Sequence, residues 1–313
     1  MMITATELRA LDVFPERPDT QTSYISAASG LVCVGSHIYV VADDELHLGV
    51  FSAGDNEPGR LIRLFAGDLP IVKADRKRQK PDLEAIVFIP AFEGFSYGAL
   101  LALGSASRPN RGRGILLGLD PQGGISGSPE QVDMAPMLGP LHRAFADLNI
   151  EGAAVVGDEL LLFQRGNKKF IENAIIRYPL LPALNALRGL DADAFAPSAI
   201  TPVNLGMIEG VPLCFTDAAA LPNGDVVFCA VAEDTGDAYL DGHCVGAAIG
   251  IADKHGRLLS SHQLEQPYKV EGISAQMKND TLNLLLVTDA DDPAIPAKLL
   301  SGLIPLEAEA SRY

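Results

Sequence analysis

The repeating unit of this chain is clearest at residues 149–163, which read NIEGAAVVGDELLLF. A carboxylate and a small residue, Glu151 and Gly152, lead into a short apolar run. A tight turn at Gly157 and Asp158 follows, and then a second apolar run. Short apolar runs bounded by turn residues predict β-strands that are joined in hairpins.

The same unit occurs four more times along the chain. The other copies begin near Ser29, Glu84, Asp217 and Glu271. Repeats of this size, built from short strands, are typical of radial β-folds. After the last start the chain provides three strands, whereas a complete repeat has four. We therefore expect a strand within residues 3–13 to close the last blade, so that the ring has no exposed sheet edge.

These patterns predict an all-β fold, a five-bladed β-propeller with four-stranded antiparallel blades around a central channel. We assign residues 1–313 to a single propeller domain, in which the blades start near residues 29, 84, 151, 217 and 271. A β-sandwich or two stacked barrels would also consist of short, evenly spaced strands. We prefer the propeller because a carboxylate leads the first strand in four of the five repeats, and a sandwich does not require this.

The bulk composition excludes several classes of partner. The chain has 313 residues and a formal net charge of −16, which argues against a non-specific nucleic-acid binder. No run reaches the roughly 18 uninterrupted apolar residues of a membrane helix, so we expect no membrane insertion. Residues 1–18 lack the basic and apolar segments of a secretory signal, and we therefore expect a cytoplasmic location. Nothing in the sequence indicates the oligomeric state.

The cysteines and the familiar catalytic motifs give little direction. Cys33, Cys214, Cys229 and Cys244 lack the close spacing of a metal site. Cys229 and Cys244 are candidates to face each other across neighbouring strands, and their pairing stays open. The chain has no Gly-x-Ser-x-Gly elbow, phosphate loop or dinucleotide fingerprint.

The residues that lead into the first strands are the strongest functional signal. In a propeller these strands line the channel, so the residues before them meet at one mouth. Here they are Ser29, Glu84, Glu151, Asp217 and Glu271. Two carboxylates about 6 Å apart repel by roughly 2–3 kcal/mol at an effective dielectric near 20. Shifted pKa values, basic partners or a cation must therefore neutralise them.

Oxygen ligands without Cys or His favour Ca²⁺ or Mg²⁺, and a loose ring of carboxylates suits calcium. We therefore expect Glu84, Glu151, Asp217 and Glu271 to be both the metal ligands and the catalytic residues. The alternative is that these acids bond to backbone N–H groups or to arginine and hold the blades together.

The loops that open on the same face differ in charge from blade to blade. Acidic residues occupy the loops of blades one, four and five: Asp43, Asp44, Glu45, Glu233, Asp234, Asp237, Asp241, Asp289, Asp291 and Asp292. Basic and polar residues occupy the loops of blades two and three, and we expect Arg108, Arg111, Arg165 and Asn167, with Ser29, to bind the substrate. Because arginine holds phosphate or carboxylate oxygens in pairs, these loops predict a small anionic substrate.

Three blade starts resemble those of known propeller families. The segments Asp82-Leu83-Glu84-Ala85, Asn149-Ile150-Glu151-Gly152 and Val270-Glu271-Gly272-Ile273 are similar to the Glu-Gly starts of phytase-like (esterase-like), gluconolactonase and paraoxonase propellers. In those families acidic or Asn residues at this position bind calcium in the channel. Residues 100–114, LLALGSASRPNRGRG, resemble an uncharacterised bacterial family related to the phytase-like group. Ser29 departs from the pattern, and the lactonases usually have six blades.

The sequence therefore predicts a divalent-metal-dependent hydrolase that acts on a phosphate ester, carboxylic ester or lactone. Calcium at the channel mouth would polarise a substrate oxygen and lower the pKa of a bound water. The alternative is a non-catalytic propeller that binds a ligand or a protein and whose acidic ring is structural, because this fold serves both purposes.

Overall fold

Five β-sheets follow one another along the chain in the computed structural model, which describes residues 2–14, 23–190, 195–236 and 242–306. The chain begins with β1 (Met2–Ile3) and β2 (Thr6–Ala10). Blade one contains β3 (Ala28–Val34), β4 (His37–Ala42), β5 (His47–Ser52) and β6 (Arg60–Arg63). Helix α1 (Lys73–Gln79) leads to blade two, which contains β7 (Leu83–Ile89), β8 (Ala99–Gly104), β9 (Arg113–Gly118) and β10 (Glu130–Asp133).

The remaining elements complete the ring. Helix α2 (Ala135–Ala144) leads to blade three, which contains β11 (Ile150–Val156), β12 (Glu159–Gln164), β13 (Asn173–Pro179), helix α3 (Leu180–Leu187) and β14 (Ala199–Val203). Blade four contains β15 (Met207–Ile208), β16 (Val211–Ala220), β17 (Val226–Asp234), β18 (His243–Ala252) and β19 (Leu258–Leu264). Blade five contains β20 (Val270–Lys278), β21 (Thr281–Thr288) and β22 (Lys298–Pro305).

Strand pairing confirms the five-bladed propeller. Consecutive strands within each blade pair antiparallel. The first long strands of the five blades, which we call the first strands, contact one another in a closed cycle; they are β3, β7, β11, β16 and β20. β2 pairs antiparallel with β22, so an N-terminal strand closes the last blade as the sequence predicts. β1 pairs parallel with β19 and thereby ties the same N-terminal segment to blade four.

The hydrophobic core is divided into five clusters, and each one lies between two neighbouring blades. Sheets packed on both faces need apolar side chains on both faces, and every residue of β8 is buried. The cluster between blades two and three also includes α2 and α3 through Met137 and Leu184. Burial between blades therefore stabilises the ring as a whole.

The helices lie outside the repeated strands. α1 forms from a basic run that precedes blade two, and none of its residues is buried. α3 is apolar and buries Leu180, Leu184 and Leu187. Among the described residues, no helix has the length and hydropathy needed to cross a membrane.

All four cysteines are free thiols, including Cys229 and Cys244.

Candidate functional site

A β-bulge interrupts the first strand of every blade at the channel mouth. In each of these strands one residue has no partner on the second strand. These residues are Ser29, Glu84, Glu151, Thr216 and Glu271. A bulge redirects side chains locally and increases the twist of the strand. We call these five positions the bulge ring.

Asp217 does not belong to the bulge ring, in contrast to the ring predicted from the sequence. It lies one residue further along β16, and Thr216 occupies the ring position. The Asp217 carboxylate accepts hydrogen bonds from the backbone N–H groups of Ala218 at 2.8 Å and Ile273 at 2.9 Å, and also from Leu31. It is buried and does not line the cavity described below. Asp217 therefore links blades four, five and one.

The two hydroxyl groups of the bulge ring also link neighbouring blades. Ser29 Oγ donates a hydrogen bond to the carbonyl oxygen of Leu83 in blade two. Thr216 Oγ1 donates to the carbonyl oxygen of Val270 in blade five at 2.7 Å. In both cases the acceptor directly precedes the ring residue of the next blade. The ring therefore contains three carboxylates, and its hydroxyls serve the backbone.

A narrow cavity of about 80 Å³ opens at this mouth. Its described lining includes eight carboxylates: Asp43, Asp82, Glu84, Glu151, Glu233, Glu271, Asp289 and Asp291. Five basic side chains line it as well: Lys77, Lys80, Arg111, Arg165 and Lys269. With every group ionised, the cavity has an excess of three negative charges. Asp237 and Asp241, which the sequence also places in the acidic loops, lie outside the described residues.

One end of the cavity contains three clustered carboxylates, which we call the triad. Oxygen atoms of Asp43, Asp82 and Glu84 lie within 4.8 Å of one another. The Lys80 ammonium pairs with Asp43 and lies 2.9 Å from Asp82 Oδ1. Arg111 Nη1 donates to Asp82 Oδ2 at 2.7 Å. Among the described residues none donates a hydrogen bond to the Glu84 carboxylate.

Arg165 binds the carboxylates at the other end. Its Nη1 lies 3.0 Å from Glu151 Oε2 and 3.7 Å from Glu271 Oε2. Its Nη2 donates to Glu233 Oε2. Both terminal nitrogens of the guanidinium already contact carboxylates. Arg165 therefore acts as a counter-ion of the ring, and it does not present an open binding group to an anion.

Lys269 is the second cation at this end. Its Nζ lies 2.6 Å from Asp291 Oδ1, 3.4 Å from Glu271 Oε1 and 4.0 Å from Asp289 Oδ2. Burial by itself would lower the pKa of Lys269, but the surrounding carboxylates raise it well above its usual value. The surrounding carboxylates therefore favour the charged form of Lys269.

The carboxyl groups of the cavity have raised pKa values. Burial raises the pKa of Glu271 to about 8 and that of Asp289 to about 7, and Lys269 opposes both shifts. Burial, followed by the charge of Glu151, raises the pKa of Glu84 well above its usual range. The basic groups thus neutralise the acids only in part.

The structure separates the residues predicted to bind substrate. Ser29, Arg111, Arg165 and Asn167 line the cavity. Arg111 and Arg165 are held by carboxylates, and Asn167 Nδ2 donates to Asp147 Oδ2 at 2.7 Å. Arg108 is exposed and lies in a separate surface groove. The loops therefore do not present a set of unengaged arginines to an anion.

Sequence reasoning missed Asp82 and Lys269 as cavity residues. Both precede a ring glutamate by two positions, in Asp82-Leu83-Glu84 and Lys269-Val270-Glu271. Alternate residues of a strand face the same side, so this spacing is the signal that identifies them. Asn149 and Cys214 stand in the same relation to Glu151 and Thr216, and both also line the cavity.

The predicted calcium ring and the observed arrangement differ. Among the described residues, the triad is the one group of acidic, His or Cys side chains with at least three ligand atoms within 4.8 Å. Glu151 and Glu271 are outside it and are served by Arg165 and Lys269. The residue types and the spacing of the triad fit a hard divalent cation, and Lys80 is its counter-ion in the structure.

Residues 24–304 match a protein family of unknown function, DUF6929. The chain belongs to this family. A search of curated proteins finds no sequence match.

Several solved structures match most of this chain at low sequence identity. A luciferin-regenerating enzyme has 10% identity and a TM-score of 0.46, with 97% of this chain and 96% of that chain covered. An α-L-arabinofuranosidase from Podospora anserina in complex with cellotriose has 11% identity and a TM-score of 0.46, with 97% of each chain covered. A gluconolactonase from Xanthomonas campestris has 11% identity and a TM-score of 0.40, with 86% of this chain and 69% of that chain covered. These values say nothing about the activity of this DUF6929 chain.

Proposed function

We propose that the channel mouth is the active site of a divalent-cation-dependent hydrolase that acts on a small polar substrate. The observation that carries this proposal is the triad. Asp43, Asp82 and Glu84 bring carboxylate oxygens within 4.8 Å of one another, and Glu84 receives no hydrogen bond from the described residues. Hard divalent cations take oxygen ligands of this kind.

The residues of the triad would have separate roles. Asp43, Asp82 and Glu84 would hold the cation, which when bound polarises a substrate oxygen and lowers the pKa of a bound water. Arg111 stays on Asp82 and fixes the orientation of that carboxylate. Lys80 has a long, flexible side chain, so its ammonium can withdraw from the triad when a divalent cation replaces it.

The substrate expected from the basic loops was a small anion, and the charge of the cavity does not favour one. An anion would have to displace carboxylates from Arg111, which is buried, and from Arg165, whose side chain is 11% exposed. Separating a buried ion pair leaves an uncompensated charge, which typically costs about 3–5 kcal/mol. A neutral or positively charged group fits the cavity better.

The test combines metal binding with hydrolysis. Protein stripped with a chelator is titrated calorimetrically with Ca²⁺, Mg²⁺ and Mn²⁺, and is assayed with chromogenic esters, lactones, glycosides and phosphates. We expect Glu84→Gln to weaken metal binding at least tenfold and to abolish the metal-dependent hydrolysis. Glu159→Gln is the matched control. Glu159 lies at the end of β12 that is away from the channel mouth, and it pairs with Arg177 at 3.0 Å. Hydrolysis that persists in chelator contradicts the proposal.

A second candidate is a non-catalytic binding propeller with a structural acidic ring. The observation that favours it is the number of internal ion pairs, because Lys80, Arg165 and Lys269 each contact at least two carboxylates. In that case wild-type protein binds no divalent cation, and Glu84→Gln changes only the thermal stability.

A further inference from the structure

The end of the cavity around Glu271 has too few cations for its carboxylates. Five carboxylates line this end: Glu151, Glu233, Glu271, Asp289 and Asp291. Among the described residues, the basic side chains with ion pairs to them within 4 Å are Arg165 and Lys269. The triad is closer to balance, because Lys80 and Arg111 serve its three acids. The negative excess of the cavity is therefore concentrated at the Glu271 end.

At this end, Glu271 is a buried acid that lacks a hydrogen-bond donor among the described residues. The residue is 4% exposed, and neither of its carboxylate oxygens accepts a hydrogen bond from the described residues. The closest basic nitrogens, on Lys269 and Arg165, are 3.4 Å and 3.7 Å away. A buried acceptor without a donor costs about 1–3 kcal/mol, and more when it is charged. A ligand that donates hydrogen bonds and carries positive charge would remove this cost.

We propose that the Glu271 end of the cavity binds the primary ammonium group of a small organic amine, with Glu271 as its main partner. The inference rests on the proposed function, since it assigns the hydrolase a substrate that bears an amine. Lys269 shows that this environment accepts an ammonium, because its own lies among Glu271, Asp289 and Asp291. An ammonium has three donors and a compact charge, which suits several separate acceptors.

Two other ligands fit this end less well. A bare metal ion needs several oxygen atoms close together, and among the described residues only the triad meets that condition. An anion would meet the net negative charge of the cavity.

The volume of about 80 Å³ admits a head group of a few heavy atoms and no more. The amine must therefore be small, or must enter by one end.

The experiment is a calorimetric titration of the full chain with ethylammonium chloride at pH 8.5 in the presence of a chelator and constant chloride. We expect saturable binding to the wild type and at least tenfold weaker binding to Glu271→Gln. Glu159→Gln should bind as the wild type does. Three comparison ligands each change one property. Ethanol has no charge, acetate is negatively charged, and tetramethylammonium is positively charged but has no N–H donors.

Several results would overturn the proposal. These are the absence of saturable ethylammonium binding, equal binding of acetate or tetramethylammonium, or unchanged affinity in Glu271→Gln. If Glu271→Gln does not fold, the order of the four ligands on wild-type protein decides. The titration contains no divalent metal, so its failure leaves the metal-dependent hydrolysis standing. Conversely, if ethylammonium binds but no metal-dependent hydrolysis is found, the proposed hydrolase activity is wrong and the amine site stands.

Discussion

The Asp217 carboxylate accepts backbone hydrogen bonds from three of the five blades. Its donors are the N–H groups of Ala218, Ile273 and Leu31, which belong to blades four, five and one. A carboxylate in this position replaces hydrogen bonds that the converging first strands cannot make to one another. Its role follows from where the backbone N–H groups point, and not from the charge of the cavity.

We expect Asp217→Ala to destabilise the fold by about 2–5 kcal/mol, because three buried N–H groups lose their acceptor. Urea denaturation followed by circular dichroism measures the change. Asp225→Ala is the control, since Asp225 is partly exposed and bonds locally to Asn223. Divalent-cation affinity should be the same in both variants. A loss of affinity confined to Asp217→Ala would instead return Asp217 to the metal ligands predicted from the sequence.

The raised pKa values of Glu271 and Asp289 predict how stability depends on pH. Burial raises them to about 8 and about 7, whereas unfolded carboxyl groups titrate near pH 4. The folded state therefore holds these protons more tightly than the unfolded state does. The stability that they contribute is complete below about pH 4 and is lost as the pH rises through 7 and 8.

In chelator, we expect the melting temperature to fall by several degrees between pH 6 and pH 9. Glu271→Gln should show a shallower decline, because the amide cannot ionise. Differential scanning calorimetry across this range gives the profile. A melting temperature that rises with pH would mean that Lys269 and Arg165 outweigh the burial of these acids.

Helix α1 lies beside the cavity, which Lys77 lines, and its charged side chains contact the acidic loops. None of its side chains is buried. Arg76 pairs with Asp44 at 3.3 Å and Glu45 at 3.0 Å, and Lys73 Nζ donates to the carbonyl oxygen of Asp291 at 3.3 Å. Partly exposed ion pairs contribute little and are screened by salt. An element held in this way opens locally at low cost.

Hydrogen exchange by mass spectrometry should therefore find residues 73–79 among the least protected helical amides. We expect their exchange to become faster, by at least a few-fold, when the ionic strength rises from 0.05 M to 0.5 M. β8, which is buried along its whole length, should not respond to salt. Equal protection of α1 and β8 would show that more than charge holds the helix in place.

At the scale of the molecule, the ring closes at a seam between blades five and one. Leu11 is fully buried there, and its backbone N–H donates to Ala297 at 2.9 Å. The carbonyl oxygen of Leu11 accepts from the N–H of Ile25 at 3.0 Å, just before blade one begins. The N-terminal segment thus contributes both to the pairing of blade five and to the core of the seam.

Leu11→Ala should lower the free energy of unfolding by about 2–5 kcal/mol, because the seam loses a buried side chain and gains a cavity. Leu303→Ala on β22 is the control, since Leu303 is 59% exposed, and it should change the value by less than about 0.5 kcal/mol. Chemical denaturation compares the two. Similar losses would indicate that closure at this seam does not limit stability.

The blades and part of the site could be predicted from the chain alone. Strand patterns are local, since apolar runs and turn residues specify hairpins without reference to distant segments. Five such units, with a short N-terminal strand to spare, imply a closed ring. Glu84, Glu151 and Glu271 occupy the same place in their repeats, so symmetry brings them to the same mouth.

The remaining features depend on contacts across the fold. The bulge in β16 makes Thr216 the ring residue in place of Asp217, because register is established by pairing with β17. Ion pairs at the ring also join positions that are far apart in sequence, since Arg165 reaches Glu233 from 68 positions away. Apolar periodicity acts between neighbours in sequence, whereas charge acts through space. For this reason the chain indicates its strands. Among the described residues, the packed ring alone shows which acids accept hydrogen bonds and which, like Glu271, do not.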